Sequence, residues 1–135
     1  MTGDDSKRHK RVLYVEDNPV NAALMAAVLG MRPDVALEVC VDGASALAGA
    51  LREPPDLFLL DMNLPDTTGI ELLGHLREHD ALRSAPAYVV SAAALPEDIE
   101  RALGCGFSGY WTKPLDVERV LAEINGLLGL SARST

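Results

Sequence analysis

The amino-acid sequence predicts an α/β domain built on one doubly wound, five-stranded parallel sheet. Three observations carry this. Five short apolar runs alternate with five helical patterns, and that alternation argues a parallel sheet with helices on both faces. Three of the runs are apolar at successive positions, as strands covered on both sides must be. The length of 135 residues suits one domain that buries a core without disulfide or metal support.

The elements follow in order. Residues 1–10 are polar and read as a solvated tail. A strand at 12–15 stops at Glu16 and Asp17. Asn18-Pro19 opens a helix, with an amide N-cap and a first-turn proline. That helix runs to about Gly30, and Leu24, Ala27 and Val28 are expected to mark its apolar face. A second strand covers 37–41 and Asp42-Gly43 ends it; a helix at 44–51 is broken by Pro54-Pro55. The third strand, 57–60, ends at Asp61, and a helix over 69–78 carries Leu72, Leu73 and Leu76. The fourth strand, 87–90, ends at Ser91, before a helix over 96–103. The fifth, 109–112, ends at Lys113. The last helix places Val117, Val120, Leu121, Ile124, Leu127 and Leu128 on one face. A second tail is expected over 130–135.

Composition narrows the function. A net charge of −8 excludes a generic nucleic-acid-coating protein. The longest stretch without a polar side chain, 22–31, is half the ~20 residues a membrane span needs. No signal-peptide pattern opens the chain, so a cytoplasmic location is expected. Cys40 and Cys105 stand far apart with no CxxC motif, and both are expected to be buried as small hydrophobes. Met25, Met31 and Met62 are expected in or near the core, and Trp111 partly buried against the last helix.

In open parallel sheets ligands bind beyond the carboxyl ends of the strands. Those ends carry Glu16, Asp17, Asp61, Ser91 and Lys113. Taken singly, each is a common loop residue; taken together, they converge on one crevice. Carboxylates near 4 Å apart repel by up to ~4 kcal/mol per pair at an effective dielectric near 20. A bound cation relieves this, and an all-oxygen acidic set suits Mg²⁺ or Mn²⁺ bridging to a phosphate. Lys113 adds a charge and Ser91 a donor for phosphoryl oxygens, so the set suits phosphoryl chemistry. No P-loop, dinucleotide-binding or G-x-S-x-G motif competes. His9, His75 and His79 lie in the tail and on the third helix, away from the strand ends.

The motifs V-L-Y-V-E-D-N (12–18), L-F-L-L-D-M-N-L-P-D-T-T-G (57–69), V-V-S-A (89–92) and G-Y-W-T-K-P (109–114) occur in that order. Asp17 to Asp61, Asp61 to Ser91 and Ser91 to Lys113 are separated by 44, 30 and 22 residues. Over residues 11–129 the chain resembles the receiver domain of bacterial two-component response regulators. The resemblance implies a flavodoxin-like (βα)5 fold with strand order 2-1-3-4-5. It implies phosphoryl transfer to Asp61 from a histidine kinase or histidine phosphotransfer protein. Asp17 matches a direct Mg²⁺ ligand, Glu16 its neighbouring acid, and Asn63 a backbone-carbonyl ligand. Lys113 matches the lysine that pairs with the phosphoryl group. Ser91 and Tyr110 match the switch positions, with Tyr110 expected to rotate inward as Ser91 moves. The Lys113-Pro114 bond matches one that is usually cis.

Glu16 stands where Asp is commoner, which changes reach but not charge. Ser108 and Gly109 stand where many DNA-binding members carry acids that serve a symmetric dimer, so a monomer or weak dimer without direct nucleic-acid binding is expected. The stretches V-E-D-N-P-V-N and T-K-P-L-D-V are closer to receivers attached to hybrid histidine kinases. The family implies a regulatory phosphoacceptor that assists its own phosphorylation and dephosphorylation rather than an enzyme. Two other readings are an aspartate-nucleophile phosphohydrolase and a degenerate receiver that only docks. The first wants D-x-D-x-T after strand one and a cap domain. The second is opposed by the intact acidic set.

Overall fold

Five strands run parallel in one sheet, ordered β2-β1-β3-β4-β5, in a computed structural model that describes residues 9–93 and 95–130. The strands are β1 (Lys10–Val15), β2 (Val35–Cys40), β3 (Leu57–Leu60), β4 (Ala87–Ser91) and β5 (Gly109–Thr112). The helices are α1 (Pro19–Leu29), α2 (Gly43–Arg52), α3 (Gly69–Arg77), α4 (Pro96–Gly104) and α5 (Val117–Leu128), with a 3-10 turn at Asp80–Leu82. This is the fold and strand order that the sequence and the resemblance predict.

The period-2 alternation of the strands sorts the core into two halves. Leu13, Val15, Phe58, Leu60, Ala87 and Val89 face α2, α3 and α4. Val12, Tyr14, Leu57, Leu59, Val90 and Trp111 face α1 and α5. The order of the strands puts the reversal of winding between β1 and β3, whose register pairs Val15 with Leu60. Their carboxyl ends therefore open onto the crevice where such sheets bind ligands.

Helix starts follow their caps. Asn18 accepts from the Val20 and Asn21 amides, Asp42 from Ser45, Thr68 from Glu71 and Asp116 from Arg119. At Gly129 a left-handed φ of 68° closes α5, which glycine adopts without side-chain cost.

Several expectations are corrected. β1 begins at Lys10 and β2 at Val35, because parallel pairing extends from Lys10↔Val35 to Val15↔Cys40. Lys10 thus belongs to the sheet, and Leu130, whose amide bonds the Asn125 carbonyl, packs on the α1/α5 core. Tail positions 1–8 and 131–135 lie outside the described residues, as does Ala94. On α1 the buried residues are Met25, Val28 and Leu29, whereas Leu24 and Ala27 are exposed. Met31, past the helix end, is exposed, while Met62 packs against the core. Cys40 is buried but Cys105 is exposed, since it caps α4 at a turn. Trp111 is fully rather than partly buried, its ring 5.0 Å from that of Tyr88 and its Nε1–H donating to Glu123 on α5. Among the described residues no helix is long and apolar enough to cross a membrane.

Candidate functional site

The sheet ladder runs on into the site. The Glu16 amide donates to the Cys40 carbonyl (2.8 Å) and the Asp61 amide to the Val15 carbonyl (3.2 Å). On β5 the Lys113 amide donates to the Ser91 carbonyl (2.9 Å), and the Lys113–Pro114 peptide is cis. Backbone pairing between neighbouring strands therefore sets where each functional side chain begins.

One carboxylate oxygen from each of Glu16, Asp17 and Asp61 lies within 4.8 Å of the other two. Glu16 and Asp61 are buried and Asp17 is exposed. Lys113 Nζ binds both buried acids, 2.7 Å from Glu16 Oε1 and 3.1 Å from Asp61 Oδ2. The strand ends so bring together four of the five side chains that the sequence singles out.

The three charged groups respond differently. Burial opposes ionisation of Glu16, but hydrogen bonds from Lys113, Tyr14 and the Asn18 amide outweigh it and hold the carboxyl below its ordinary value. Burial dominates at Asp61 and raises its carboxyl, with the Asn63 amide and Lys113 offsetting only part. Burial also works against the Lys113 ammonium, yet its two carboxylate partners keep it above its ordinary range. At neutral pH one ammonium faces three carboxyl groups. Such a set of hard oxygens, one of them open to solvent, fits a Mg²⁺ or Mn²⁺ ion.

The loop after Asp61 is tightly folded. The Asn63 amide donates to Asp61 Oδ1 (3.2 Å), Asn63 forms a bridge with Thr68, and the Gly69 amide donates to the Met62 carbonyl (2.8 Å). A Cβ at Gly69 would lie 2.7 Å from the Asp61 carbonyl oxygen, so only glycine lets α3 start this close to the acceptor strand. Asp66 ties the loop to α2 by accepting from the Gly43 (2.8 Å) and Ala44 (3.1 Å) amides.

Ser91 is buried, and its Oγ accepts from the Ala93 amide at 3.2 Å. The Tyr110 ring is already inward, with its hydroxyl donating to the Ala93 carbonyl at 2.5 Å. Burial raises its phenol, and a hydrogen bond with Ser91 opposes that rise. The two expected switch residues therefore already touch through one loop.

Sequence reasoning passed over Tyr14, whose hydroxyl donates to Glu16 Oε1 at 2.8 Å. It also passed over the anchor at Asp66. The period of β1 places Tyr14 on the same face as Glu16, two residues on, and that was the available signal.

Residues 12–125 match the family model for the response regulator receiver domain, and the chain belongs to that family. It is 34% identical over 120 residues to the polar-differentiation response regulator DivK of Brucella anthropi, which covers 89% of this chain and 97% of that one. It is 35% identical over 119 residues to the signal transduction histidine-protein kinase BarA of Shigella flexneri, where the match covers 87% of this chain and 13% of the kinase. The chain thus spans a small part of the kinase's length. Among solved structures, the receiver domain of a Pseudomonas aeruginosa sensor histidine kinase superposes with a TM-score of 0.80 at 29% identity, covering 90% of this chain and 98% of that chain. That crystal structure has a magnesium ion coordinated in its active-site cleft. The chain is accordingly a receiver domain of two-component signalling, a regulatory domain class that accepts a phosphoryl group on aspartate.

Proposed function

We propose that Asp61 is the phosphoacceptor of a two-component phosphorelay, loaded in the presence of Mg²⁺ or Mn²⁺. The observation that carries this is the Asp61 carboxylate, grouped with Glu16 and Asp17 and bonded by Lys113. An Asp61 oxygen forms the new bond to phosphorus as the donor's N–P bond breaks, and the freed imidazole takes up a proton. Glu16, Asp17, Asp61 and the Asn63 carbonyl are the residues that would hold the ion, which when bound neutralises charge building up on the phosphoryl oxygens. Lys113 supplies the protein's own cation to those oxygens, and Ser91 a hydroxyl donor. The same groups assist loss of the phosphate to water, so the domain acts on itself and not on a separate substrate.

The partner in this reading is a histidine kinase or histidine phosphotransfer protein. Its support is the apolar surface beside the acids, where Val20 and Leu24 of α1 are exposed. A small groove lined by Tyr14, Asn21, Leu24, Lys113, Pro114 and Leu115 adjoins them. We take residues 11–129 as the receiver unit. Within the reading it is cytoplasmic, a monomer or weak dimer, and makes no direct contact with nucleic acid.

Intact-mass measurement with a small acyl phosphate tests the assignment. Wild type is expected to gain one phosphate when Mg²⁺ is present and none in a chelator. Asp61→Asn is expected to gain none, because a neutral amide is no nucleophile. Phosphate on the Asp61→Asn protein would refute the assignment.

A further inference from the structure

The phenol of Tyr14 lies in the α1/α5 core, fully buried, two residues before Glu16 on the same face of β1. Its hydroxyl is 2.8 Å from Glu16 Oε1, the same oxygen that Lys113 Nζ binds at 2.7 Å. The other oxygen, Oε2, accepts from the Asn18 amide at 3.2 Å. Among the described residues no further protein donor reaches Oε1. Glu16 itself is 2% exposed.

This arrangement sets a problem for Lys113. In the phosphoacceptor reading, on which this inference rests, the ammonium must turn from Glu16 toward a phosphoryl group on Asp61. That turn strips Glu16 Oε1 of a charged donor in a buried place, and an unsatisfied buried carboxylate oxygen is costly. The Tyr14 hydroxyl remains in position throughout, because the ring is buried in the α1/α5 core and Oε1 is its acceptor.

We propose that Tyr14 is a positioning residue whose hydroxyl keeps Glu16 satisfied when Lys113 leaves it for the phosphoryl group. The longer arm of glutamate is what brings Oε1 within reach of the phenol and the lysine together. Tyr14 thereby lowers the cost of the phosphoryl-bound state and leaves the resting state little changed, where Lys113 already serves Oε1.

The differential is measurable. Mg²⁺ affinity, and then affinity for beryllofluoride (a tetrahedral phosphoryl analogue) at saturating Mg²⁺, are determined by calorimetry for wild type and Tyr14→Phe. The variant keeps the ring, and its thermal midpoint reports whether the core is intact. Tyr14→Phe is expected to weaken beryllofluoride binding by about tenfold, the worth of one hydrogen bond to a charged group, with Mg²⁺ affinity within about twofold of wild type. In a Lys113→Ala background the same substitution is expected to make no further difference to beryllofluoride, since there is no lysine left to depart. Equal losses of both affinities, no loss at all, or an undiminished loss in the Lys113→Ala background would overturn the inference alone. Wild-type protein binding neither Mg²⁺ nor beryllofluoride would overturn the phosphoacceptor reading and this inference with it.

Discussion

Lys113 sets the charge balance of the site. Its ammonium stands between two buried carboxylates that no other side-chain cation touches among the described residues. Removing one partner of a buried ion pair leaves the other charges uncompensated. Lys113→Ala is expected to lose about 2 kcal/mol of stability, discounted from the 3–5 typical of wholly buried pairs because the lysine is partly open. The same change leaves three carboxyl groups facing one another, which favours a divalent ion. Mg²⁺ should therefore raise the thermal midpoint of Lys113→Ala more than that of wild type. Calorimetric scans with and without Mg²⁺ check this, and equal shifts in the two proteins would count against it.

At the scale of elements, the phase of α1 and the tether of β2 are each decided by contacts between segments. Met25, Val28 and Leu29 are spaced i, i+3, i+4 and turn toward β1 and β3, which leaves Leu24 outward. Met25→Ala should cost about 3 kcal/mol and Leu24→Ala no more than about 0.5 in denaturant titrations. Equal costs would mean a rotated helix. On the sheet's edge, Glu38 of β2 accepts from Arg11 of β1 and Arg52 of α2, at 2.7 Å each. The hydrogen bond from Arg11, outweighing partial burial, holds the Glu38 carboxyl below its ordinary 4.5. A lowered folded value means the unfolded chain takes up protons first as the pH falls. The stability gained is thus whole above about pH 4.5 and lost as the pH drops through the folded value. Glu38→Gln should be about 1 kcal/mol less stable than wild type at pH 7, and the gap should be smaller at pH 3. A gap of unchanged size across urea melts at the two pH values would rule this tether out.

For the whole molecule, the expected response to phosphorylation is a shift between two populations, worth ~1–3 kcal/mol for typical coupling. The expected swing of Tyr110 from outside to inside does not describe this structure, in which the ring is already buried and its hydroxyl sits on the Ala93 carbonyl. The loop after Ser91 offers a route from the site to Tyr110, since Ser91 Oγ accepts from the Ala93 amide and the Tyr110 hydroxyl donates to the Ala93 carbonyl. Ser91→Ala should keep phosphoryl uptake but reduce the NMR shift changes at Tyr110 and α4. If wild-type shifts stay at the strand ends, the domain is a phosphoryl relay and not a shape switch.

The alternation of strands and helices, and the residues at the strand ends, are legible in the linear chain. Both are local: an apolar run that stops at Asp61 or Lys113 reports its own end. With the family motifs in order, that places Glu16, Asp17, Asp61, Ser91 and Lys113 at the carboxyl ends of the strands. The buried side of α1 was not legible, because residues 22–31 carry no polar side chain and so offer no contrast between faces. Cys105 and Trp111 were misjudged because a turn exposes one and the pairing of Tyr88 with α5 closes over the other. The bond from Lys113 to Glu16 joins positions 97 residues apart, and Asp66 reaches the start of α2 from another loop. Such contacts belong to the fold, since they depend on which strands are neighbours and in what register, and no short window of sequence records either.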